Sequence, residues 1–510
     1  MKRATKALLT LIAAAVLAFS LLLATACSSS DPEQTEQTEL TEQTEQTAIY
    51  VTSIEKTGTN GTDDIYTITY SDGTTSTFTV SNGSDGKDVS INDIYEQYKE
   101  TTGTDISFAD FLKQYLTVSD QTTALAVNSC LLSSMKIYSE FVQTSQSFDP
   151  YYGVVSSSNT AISTGSAVIY SMAADGYTYI VTNYHVVYNK NADTEKNGGS
   201  KLARKIYGYL YGSESTPSTT DANNDNQADT DSDGYTLYDY GSYAIKLEYV
   251  GGSVTSDIAV LRAETEDIAA INADAKAVTL ASDYHVGETA IAIGNPEGKG
   301  LSVTQGVIST ENEQITLDID GTTRSYRSLR IDTPLYEGNS GGGLFNADGE
   351  LIGITNAGNS EDQNINYAVP LEIVKGTVEN ILHYYNDGDS STTGAYKITL
   401  GVTVTTQNSK YVYDASSGYG SVQEEVIVNS VTAGSIAETL GLQANDKIVS
   451  LFINDTEYTI NRSFRISDLI LTMRENDIIK VKYERTENGE TAEHTSEGYT
   501  LARTDLVQLD

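Results

Sequence analysis

Short apolar runs alternate with glycine, asparagine and aspartate through the middle of the chain, from about residue 125 to residue 390. Examples are "GSAVIYS", "YTYIVTN", "AIAIG" and "LIGITNAG". Apolar runs of this length, bounded by turn residues, are typical of β-strands. Many short strands with frequent turns indicate a mainly β domain, either a barrel or a sandwich.

The rest of the chain predicts further structured regions, because at 510 residues it exceeds the roughly 250–300 residues that one core usually serves. Residues 49–120 contain two alternating segments, "DIYTITY" and "TSTFTV", followed by helical spacing. They predict a small accessory β and helical region whose function is not readable. A helical segment, "VPLEIVKGTVENILHYYN", closes the middle domain of 125–390, and "DGDSSTTG" links it to a third unit over 395–505.

The N-terminus has the layout of an export signal. "MKRATKALLTLIAAAVLAFSLLLATAC" starts with basic residues, continues with an apolar stretch and ends in small residues before Cys27. Its last five letters resemble a bacterial lipobox, although Ala24 stands where leucine is commoner. Residues 1–27 therefore predict a lipoprotein signal peptide, lipidation at Cys27 and a chain anchored to the outer face of the bacterial cell membrane. An ordinary cleaved signal or a retained anchor is the alternative.

Composition restricts the remaining classes of function. Residues 28–48 repeat Glu, Gln and Thr with almost nothing apolar, which predicts a disordered linker. The formal charge of −39 argues against a nucleic-acid partner, because such binding needs a basic face. Once Cys27 is modified, Cys130 has no cysteine left to pair with, so we expect no internal disulfide. A buried structural thiol is the expected state of Cys130, and a cysteine nucleophile is the alternative.

The stretch "YEGNSGGGLFN" places Ser340 between an asparagine and three glycines. A surface hairpin could use the same letters, since Gly and Asn supply the positive φ angles of tight turns. A nucleophilic serine could use them too, because it needs a backbone folded so tightly that two amide N–H groups point at one small volume. Both interpretations stay open on this stretch alone.

Two other residues precede Ser340 in an informative order. His185 ends an apolar run in "IVTNYHVV", and Asp257 precedes another in "TSDIAVLRAE". Each alone could be structural, His185 as a packed histidine and Asp257 as a carboxylate that accepts backbone N–H bonds at a strand start. The order His, Asp, Ser, however, is one of three known chain orders for the same hydrolytic triad.

Six segments in sequence resemble the HtrA/DegP group of trypsin-like serine proteases. They are "TGSAVIY", "TNYHVV", "SDIAVL", "AIGNPEGKGLSVTQGVIS", "EGNSGGGLFNADGELIGI" and "INYAVP". The resemblance implies a chymotrypsin-like double β-barrel and a hydrolase that needs no cofactor. It implies that Ser340 attacks the peptide carbonyl, that His185 transfers the proton and that Asp257 orients the imidazole.

The glycines around Ser340 then have a geometric purpose. Gly338 and Asn339 let the chain turn so that the N–H groups of Gly338 and Ser340 converge as an oxyanion hole. The chain departs from the family pattern at Glu337 and Gly343, where small residues or proline are usual. A negative charge at Glu337 predicts lower activity or a bias toward basic substrates.

Specificity and metal binding are readable only weakly. Pro334 stands where trypsin-type enzymes place an aspartate, so we expect an apolar pocket for small aliphatic side chains.

An acidic insert over 189–245 interrupts the middle domain, and its "DTDSDG" resembles part of a calcium loop with Asp229, Asp231 and Asp233 at alternate positions. Tyr240 occupies the place of the bidentate glutamate, which favours a solvated acidic loop without metal over a calcium site.

The third unit resembles a PDZ domain. The segment "AGSIAETLGL" carries most of the resemblance, which implies an α+β fold that adds a peptide strand to a sheet edge and holds its terminal carboxylate. Leu400, Gly401 and Val402 are the expected carboxylate loop and adjoining strand. Leu469 and Ile470 line the groove or pack in the core.

The family also implies a homotrimer or higher oligomer built through aromatic residues near the start of the protease domain. Phe141, Phe148 and Tyr151 are candidates, and core packing is the alternative for each. The function expected from these observations is a membrane-tethered endopeptidase acting on unfolded proteins and exposed C-termini. A silent holdase chaperone that only binds peptides, or a signalling protease with one partner, remains the alternative.

Overall fold

The computed structural model of the chain describes residues 51–60, 63–71, 73–81, 91–103, 120–151, 153–222, 224–225, 227–359, 362–386 and 394–509. The predicted signal peptide, its Cys27 and the linker of 28–48 lie outside the described residues. Across the ranges given, no helix is long and apolar enough to cross a membrane. The chain divides into two compact units, 1–117 and 118–510.

The described part of the first unit holds an antiparallel sheet and a helix. Its elements are β1 (Val51–Asn60), β2 (Asp63–Tyr70), β3 (Thr75–Ser81) and α1 (Ile91–Thr102). β2 pairs with both other strands, and Tyr66 of β2 stacks on Phe78 of β3 with ring centroids 5.4 Å apart. The two alternating segments of the sequence coincide with β2 and β3.

The second unit begins with a closed barrel of six strands. The elements over this part are α2 (Asp120–Leu131), β4 (Ser134–Asp149), β5 (Gly153–Met172), β6 (Tyr177–Thr182), α3 (Tyr184–Val187), β7 (Lys205–Leu210), β8 (Ser218–Thr219), β9 (Tyr238–Asp239), β10 (Ile245–Ser253), β11 (Ile258–Glu264) and α4 (Thr265–Ile271). The barrel order is β10-β11-β6-β5-β4-β7. Ile137, Ile180 and Leu261 are fully buried because alternate residues of a strand point to one face.

A second sheet follows and also closes on itself. Its elements are β12 (Thr279–Leu280), β13 (Thr289–Gly294), the 3-10 turn Pro296–Gly298, β14 (Ser302–Asp318), β15 (Thr323–Ile331), β16 (Gly343–Phe345), β17 (Glu350–Asn359), β18 (Asp362–Pro370) and α5 (Leu371–Asn386). The strand order is β12-β17-β16-β13-β14-β15-β18, and β17 also pairs with β18. The predicted mainly β fold with two barrels is confirmed.

The C-terminal part has a sheet and a core of its own. Its elements are β19 (Ala395–Ile398), β20 (Val402–Asp414), β21 (Tyr419–Val431), α6 (Ile436–Thr439), β22 (Lys447–Ile453), β23 (Thr456–Thr459), α7 (Phe464–Ile470), β24 (Ile478–Glu487), β25 (Glu490–Thr495), β26 (Tyr499–Thr500) and β27 (Leu506–Leu509). The sheet runs β20-β21-β22-β24-β25, which leaves β20 at an edge. β19 and β27 form a separate pair.

A buried ion pair joins the second barrel to the C-terminal part. The Arg327 guanidinium of β15 lies 2.8 Å from the Asp468 carboxylate of α7. The Arg327 side chain also lies over the ring of Phe464, with the guanidinium carbon 4.2 Å from the ring centroid. Both charged groups are almost fully buried. α7 is therefore fixed to the barrel at one side by a charge pair and an aromatic contact.

Two expectations from the sequence need correction. The span 189–245 is not wholly an insert, because Lys205–Leu210 within it is a barrel strand that pairs with β4 and β10. Phe141 is fully buried in the barrel and cannot serve as an exposed oligomer contact, whereas Phe148 and Tyr151 are 76% and 93% exposed.

Cys130 is buried as expected, and its thiol donates to the Gly349 carbonyl at 3.3 Å.

Candidate active site

His185 and Asp257 meet at the open end of the first barrel. His185 lies in α3, the single helical turn after β6, and Asp257 lies in the turn before β11. The imidazole Nδ1 is 2.9 Å from Asp257 Oδ2, and the backbone N–H of His185 donates to Oδ1 at 3.1 Å. The Asp257 side chain is fully buried, while that of His185 is about one-third exposed at 32%. The carboxylate therefore fixes the imidazole, and the other ring nitrogen forms no hydrogen bond within the described part of the chain.

The backbone of Asp257 is held in an uncommon conformation. Its φ of 53° lies in the left-handed region, which aspartate enters more readily than most residues. Its carbonyl accepts the side-chain N–H of Asn183 at 2.9 Å, two residues before His185. This bond ties the two segments together and aims the Asp257 carboxylate at the imidazole.

The pKa of His185 results from opposing effects. Burial lowers the pKa, but the charge of Asp257 and its hydrogen bond raise it, and the net pKa lies above the ordinary value of 6.5. The Asp257 carboxylate thus stabilises the protonated imidazole. Such a pair supports a base that must carry a positive charge for part of a reaction.

Ser340 lies beside this pair in the turn before β16. Its carbonyl accepts the N–H of Ser166 at 2.8 Å. A Cβ on Gly165 would lie 2.6 Å from Val186 and 3.3 Å from the Ser340 carbonyl oxygen. The absence of a side chain at Gly165 therefore lets α3, which carries His185, and the Ser340 turn approach the same point of β5.

The Ser340 hydroxyl donates to the Asn356 carbonyl at 3.3 Å. Among the described residues, the hydroxyl forms no hydrogen bond with His185. Catalytic hydrogen bonds are often long or poorly aligned without substrate and tighten when it binds. The structure thus brings the three predicted residues to one site, with the His–Asp contact formed and the Ser–His contact open.

The two candidate oxyanion donors point away from their own peptide carbonyls, because a trans peptide group directs its N–H and C=O oppositely. The carbonyl of Glu337 accepts the N–H of Glu297 at 2.6 Å, so the N–H of Gly338 faces the other way. The carbonyl of Asn339 accepts the hydroxyl of Thr355 at 2.7 Å, and the N–H of Ser340 is opposite to it.

The amide groups of Gly338 and Ser340 donate to no acceptor in the described part of the chain. Asn339, which the sequence predicts to form the turn of the hole, differs, since its N–H donates to the Tyr336 carbonyl at 3.0 Å. It shapes the turn and is not an oxyanion donor. Two amide groups with unused donors beside the Ser340 hydroxyl are what a developing oxyanion requires.

Gly338 has no space for a side chain. Its φ is +98°, and a Cβ would lie 2.2 Å from the carbonyl oxygen of Asn295. Asn295 begins the loop that contains the 3-10 turn, and its N–H donates to the Ser166 hydroxyl at 2.8 Å. The same hydroxyl donates to the Gly338 carbonyl at 2.8 Å. Ser166 therefore couples the loop to the Ser340 turn.

The departures at Glu337 and Gly343 have different environments. The Glu337 side chain is exposed beside the candidate hole. Gly343 is buried, and a Cβ there would lie 2.4 Å from the Phe345 ring and 2.9 Å from Val168. Gly343 is therefore required by close packing, while Glu337 is a surface charge next to the site.

Two of the three carboxylates of the candidate calcium loop accept hydrogen bonds within the protein. Asp231 accepts the N–H groups of Asp233 and Tyr235 at 3.0 and 2.8 Å and pairs with Arg204 at 3.2 Å. Asp229 accepts the N–H of Ala222 at 2.8 Å. Across the described ranges, no group of three or more His, Cys, Asp or Glu side chains is arranged to hold a metal ion.

The predicted peptide loop of the C-terminal part has a related arrangement of amides. Gly401 has a φ of +77°, and a Cβ there would lie 2.2 Å from Ser435. The N–H groups of Leu400 and Gly401 donate to no backbone carbonyl in the described part of the chain. Val402 begins the edge strand β20. Leu469 is a core residue, whereas Ile470 is only partly buried.

Several residues of the site were not singled out in the sequence. Ser166, Asn295 and Glu297 lie inside segments that carried the family resemblance, but nothing in those letters assigns them a role. Their contacts depend on strand register and loop path, which spacing alone does not reveal.

The chain is similar in sequence to known peptidases. The model of the trypsin-like peptidase domain matches residues 165–354. The chain is 29% identical over 394 residues to the serine protease Do-like HtrA of Lactococcus lactis subsp. cremoris (strain MG1363), covering 73% of this chain and 82% of that protein. It is 30% identical over 301 residues to the protein of the same description in Bacillus subtilis (strain 168), covering 58% and 56%.

Solved structures include a similar HtrA-type protease. The structure described as AlgW with a decapeptide is 23% identical to this chain. The alignment covers 74% of this chain and 98% of that one, with a TM-score of 0.43.

Proposed function

We propose that the chain, which is similar to HtrA/DegP-type trypsin-like serine proteases, is an exported, membrane-tethered endopeptidase of that family and cleaves unfolded polypeptides. The proposal is supported by three features that meet near one point of β5: the Ser340 hydroxyl, a histidine bound by a carboxylate, and two amides with unused donors. An acyl-transfer enzyme needs these three components together.

The proposed mechanism uses the side chains in sequence. Ser340 Oγ attacks the peptide carbonyl while Nε2 of His185 accepts its proton. The buried Asp257 carboxylate stabilises the imidazolium that forms. His185 then donates the proton to the leaving amine, and a water molecule hydrolyses the acyl-enzyme by the same steps.

The carbonyl oxygen of the substrate becomes negatively charged during attack. The N–H groups of Gly338 and Ser340 would receive it, because their own peptide carbonyls are bonded elsewhere. Removal of one such donor in a comparable protease costs about 10²–10³ in kcat. The hydrogen bonds behind the hole therefore contribute to the rate without touching the substrate.

We assign peptide binding to the C-terminal part, as a PDZ domain over 395–505. The support is the unpaired edge of β20 together with the free amides of Leu400 and Gly401. A peptide strand could pair with this edge while the amides hold its terminal carboxylate. Exposed C-termini of unfolded proteins are the ligands that this arrangement fits.

We also propose that the chain is held at the membrane by a lipid on Cys27 and that it self-associates. The basis for the anchor is the export signal in the sequence. The basis for self-association is the exposed tip of the β4–β5 hairpin, where Phe148 and Tyr151 lie in solvent. Light scattering on the chain without its signal, compared with a Phe148→Ser, Tyr151→Ser variant, tests the oligomer.

A silent holdase is the second candidate, favoured by two observations. The Ser340 hydroxyl is bonded to Asn356 rather than to His185, and the Glu337 carboxylate lies beside the hole. Casein cleavage by the soluble chain separates the two functions. We expect cleavage by the wild-type chain and none by Ser340→Ala. Suppressed aggregation without cleavage by the wild-type chain favours the holdase.

A further inference from the structure

Lys136 is a buried lysine that the proposed mechanism does not use. The residue is 2% exposed and belongs to β4, a strand of the first barrel. Among the described residues no carboxylate forms an ion pair with it. The ammonium donates to the carbonyl of Gly298 at 3.0 Å and lies 4.8 Å from the centroid of the Tyr138 ring.

A buried charge without a counter-ion is costly. A methionine would fill a similar volume without that cost, so packing alone does not account for a lysine here. Its hydrogen-bond acceptor, Gly298, closes the 3-10 turn Pro296–Gly298. That turn includes Glu297, whose N–H holds the Glu337 carbonyl.

Strand register places Lys136 with two other supports of the same loop. In the β4–β5 ladder Lys136 faces Ser166, and Tyr138 faces Thr164. Alternate residues of a strand share a face, so all four side chains lie on one side of the ladder. Thr164 accepts the side-chain N–H of Asn295 at 2.8 Å, and Ser166 accepts its backbone N–H at the same distance.

The loop is therefore attached to this face at both ends, by Thr164 and Ser166 at Asn295 and by Lys136 at Gly298. Between these ends, Glu297 has a φ of 54°, in the left-handed region that costs a non-glycine residue energy. A conformation of that kind persists only when its surroundings hold it. The Lys136 bond is on the residue directly after Glu297.

We propose that Lys136 is a positioning residue of the oxyanion hole. Its ammonium holds the Gly298 carbonyl, keeps Glu297 in its left-handed conformation and so preserves the Glu297–Glu337 bond that aims the Gly338 N–H. Its positive charge also favours negative charge in this region. The inference rests on the proposed function, because it gives Lys136 a role only if Ser340 performs acyl transfer.

Lys136→Met tests the role, because it removes the charge and the donor and keeps the volume. The concentration of active sites is first measured by complete reaction with a fluorophosphonate. The turnover is then divided by this concentration, so that misfolded protein does not lower it. We expect kcat per labelled site to fall by about 10- to 100-fold, as for a displaced oxyanion donor, with KM changed little. A peptide aldehyde, whose adduct places an oxyanion in the hole, should bind more weakly by a similar factor.

The matched control is Lys246→Met, the same change at an exposed lysine of β10. We expect its kcat and aldehyde affinity to equal those of the wild type. Circular dichroism checks folding. If Lys136→Met does not fold, Lys136→Gln replaces it, because the glutamine side chain is neutral and shorter and cannot place a positive charge at the Gly298 carbonyl. An unchanged kcat per labelled site in the folded variant, or a loss confined to KM, overturns the proposal. A wild-type chain that takes up no fluorophosphonate instead overturns the proposed function itself.

Discussion

The backbone N–H of Glu297 donates a hydrogen bond of 2.6 Å to the carbonyl oxygen of Glu337. This contact joins two loops of the second barrel and sets the orientation of the peptide group between Glu337 and Gly338. If the peptide turned over, the carbonyl would occupy the candidate hole and the N–H would leave it. Competence of the site thus depends on a bond between two backbones, and neither of the two side chains forms it.

Gly338→Ala should disturb this peptide directly. The added Cβ would lie 2.2 Å from the Asn295 carbonyl oxygen, and alanine disfavours a φ of +98°. The turn must move, so we expect kcat to fall by about 10²–10³. Peptide hydrolysis per folded molecule measures this. Gly321→Ala, also at positive φ but with open space around it, is the control and should keep full activity. An active Gly338→Ala enzyme would contradict the assignment of the hole.

Asp257→Asn should lower both the rate and the pH at which activity appears. His185 must be neutral to accept the Ser340 proton, and its raised pKa places the acidic limb of kcat/KM above pH 6.5 in the wild type. Without the Asp257 charge, burial still lowers the His185 pKa, so the limb should move to lower pH. The turnover should fall by about 10⁴-fold, as for the same change in a related triad.

The control for that experiment is Asp267→Asn, an exposed carboxylate in the first turn of α4. It should leave the rate and the limb where they are. A pH limb that stays in place in Asp257→Asn would show that another group titrates in the reaction.

The junction between barrel and C-terminal part should show a distinctive pH dependence. Burial raises the pKa of Asp468 to about 6, although Arg327 opposes the shift. The folded pKa thus exceeds the ordinary value of 3.8, so this group's stabilising contribution is full below about pH 4 and is lost as pH rises through about 6. The free energy of unfolding of the wild type should therefore fall over this range relative to that of Asp468→Asn.

Urea unfolding of both chains at several pH values between 4 and 7 measures that difference. Many other acidic groups titrate in the same range, but they are common to both chains and cancel. Asp267→Asn, at an exposed carboxylate of α4, serves as the control. A difference between wild type and Asp468→Asn that does not vary with pH would mean that Asp468 is ionised throughout.

Peptide binding should depend on the amides around Gly401. A peptide ending in an apolar residue with a free carboxylate should bind to the soluble chain, and the amidated peptide should bind much more weakly. Gly401→Val should abolish binding, because a Cβ at this position meets Ser435 and the φ of +77° is strained. Gly418→Val, at a hairpin turn with open space, controls for the general effect of the change. Fluorescence anisotropy of labelled peptides measures both comparisons.

The three candidate side chains could be named from the sequence because each lies in a short segment with a recognisable pattern. The strand-like runs predicted a mainly β domain, and the choice of a double barrel over a sandwich came from the family resemblance. The supports behind the site could not be named, since the role of Lys136 depends on the register that places it opposite Ser166. A lone lysine in "SSMKIYSEF" gives no sign of being buried.

Aromatic residues on β4 show a similar limit. Phe141 and Phe148 look alike in the sequence, yet the first is inside the barrel and the second is on a hairpin that extends beyond it. The prediction that the whole span 189–245 is an insert is wrong because β7 is short and surrounded by polar loops. Which residues of such a stretch reach the barrel depends on pairing with β4 and β10, and composition does not record that pairing.

The most direct test is to treat the soluble wild-type chain with a fluorophosphonate and locate the adduct by mass spectrometry of its peptides. We predict one adduct per chain, on Ser340, formed more slowly as pH falls and absent in Ser340→Ala and His185→Ala. A folded wild-type chain that forms no adduct, or forms it on another serine, would contradict the account.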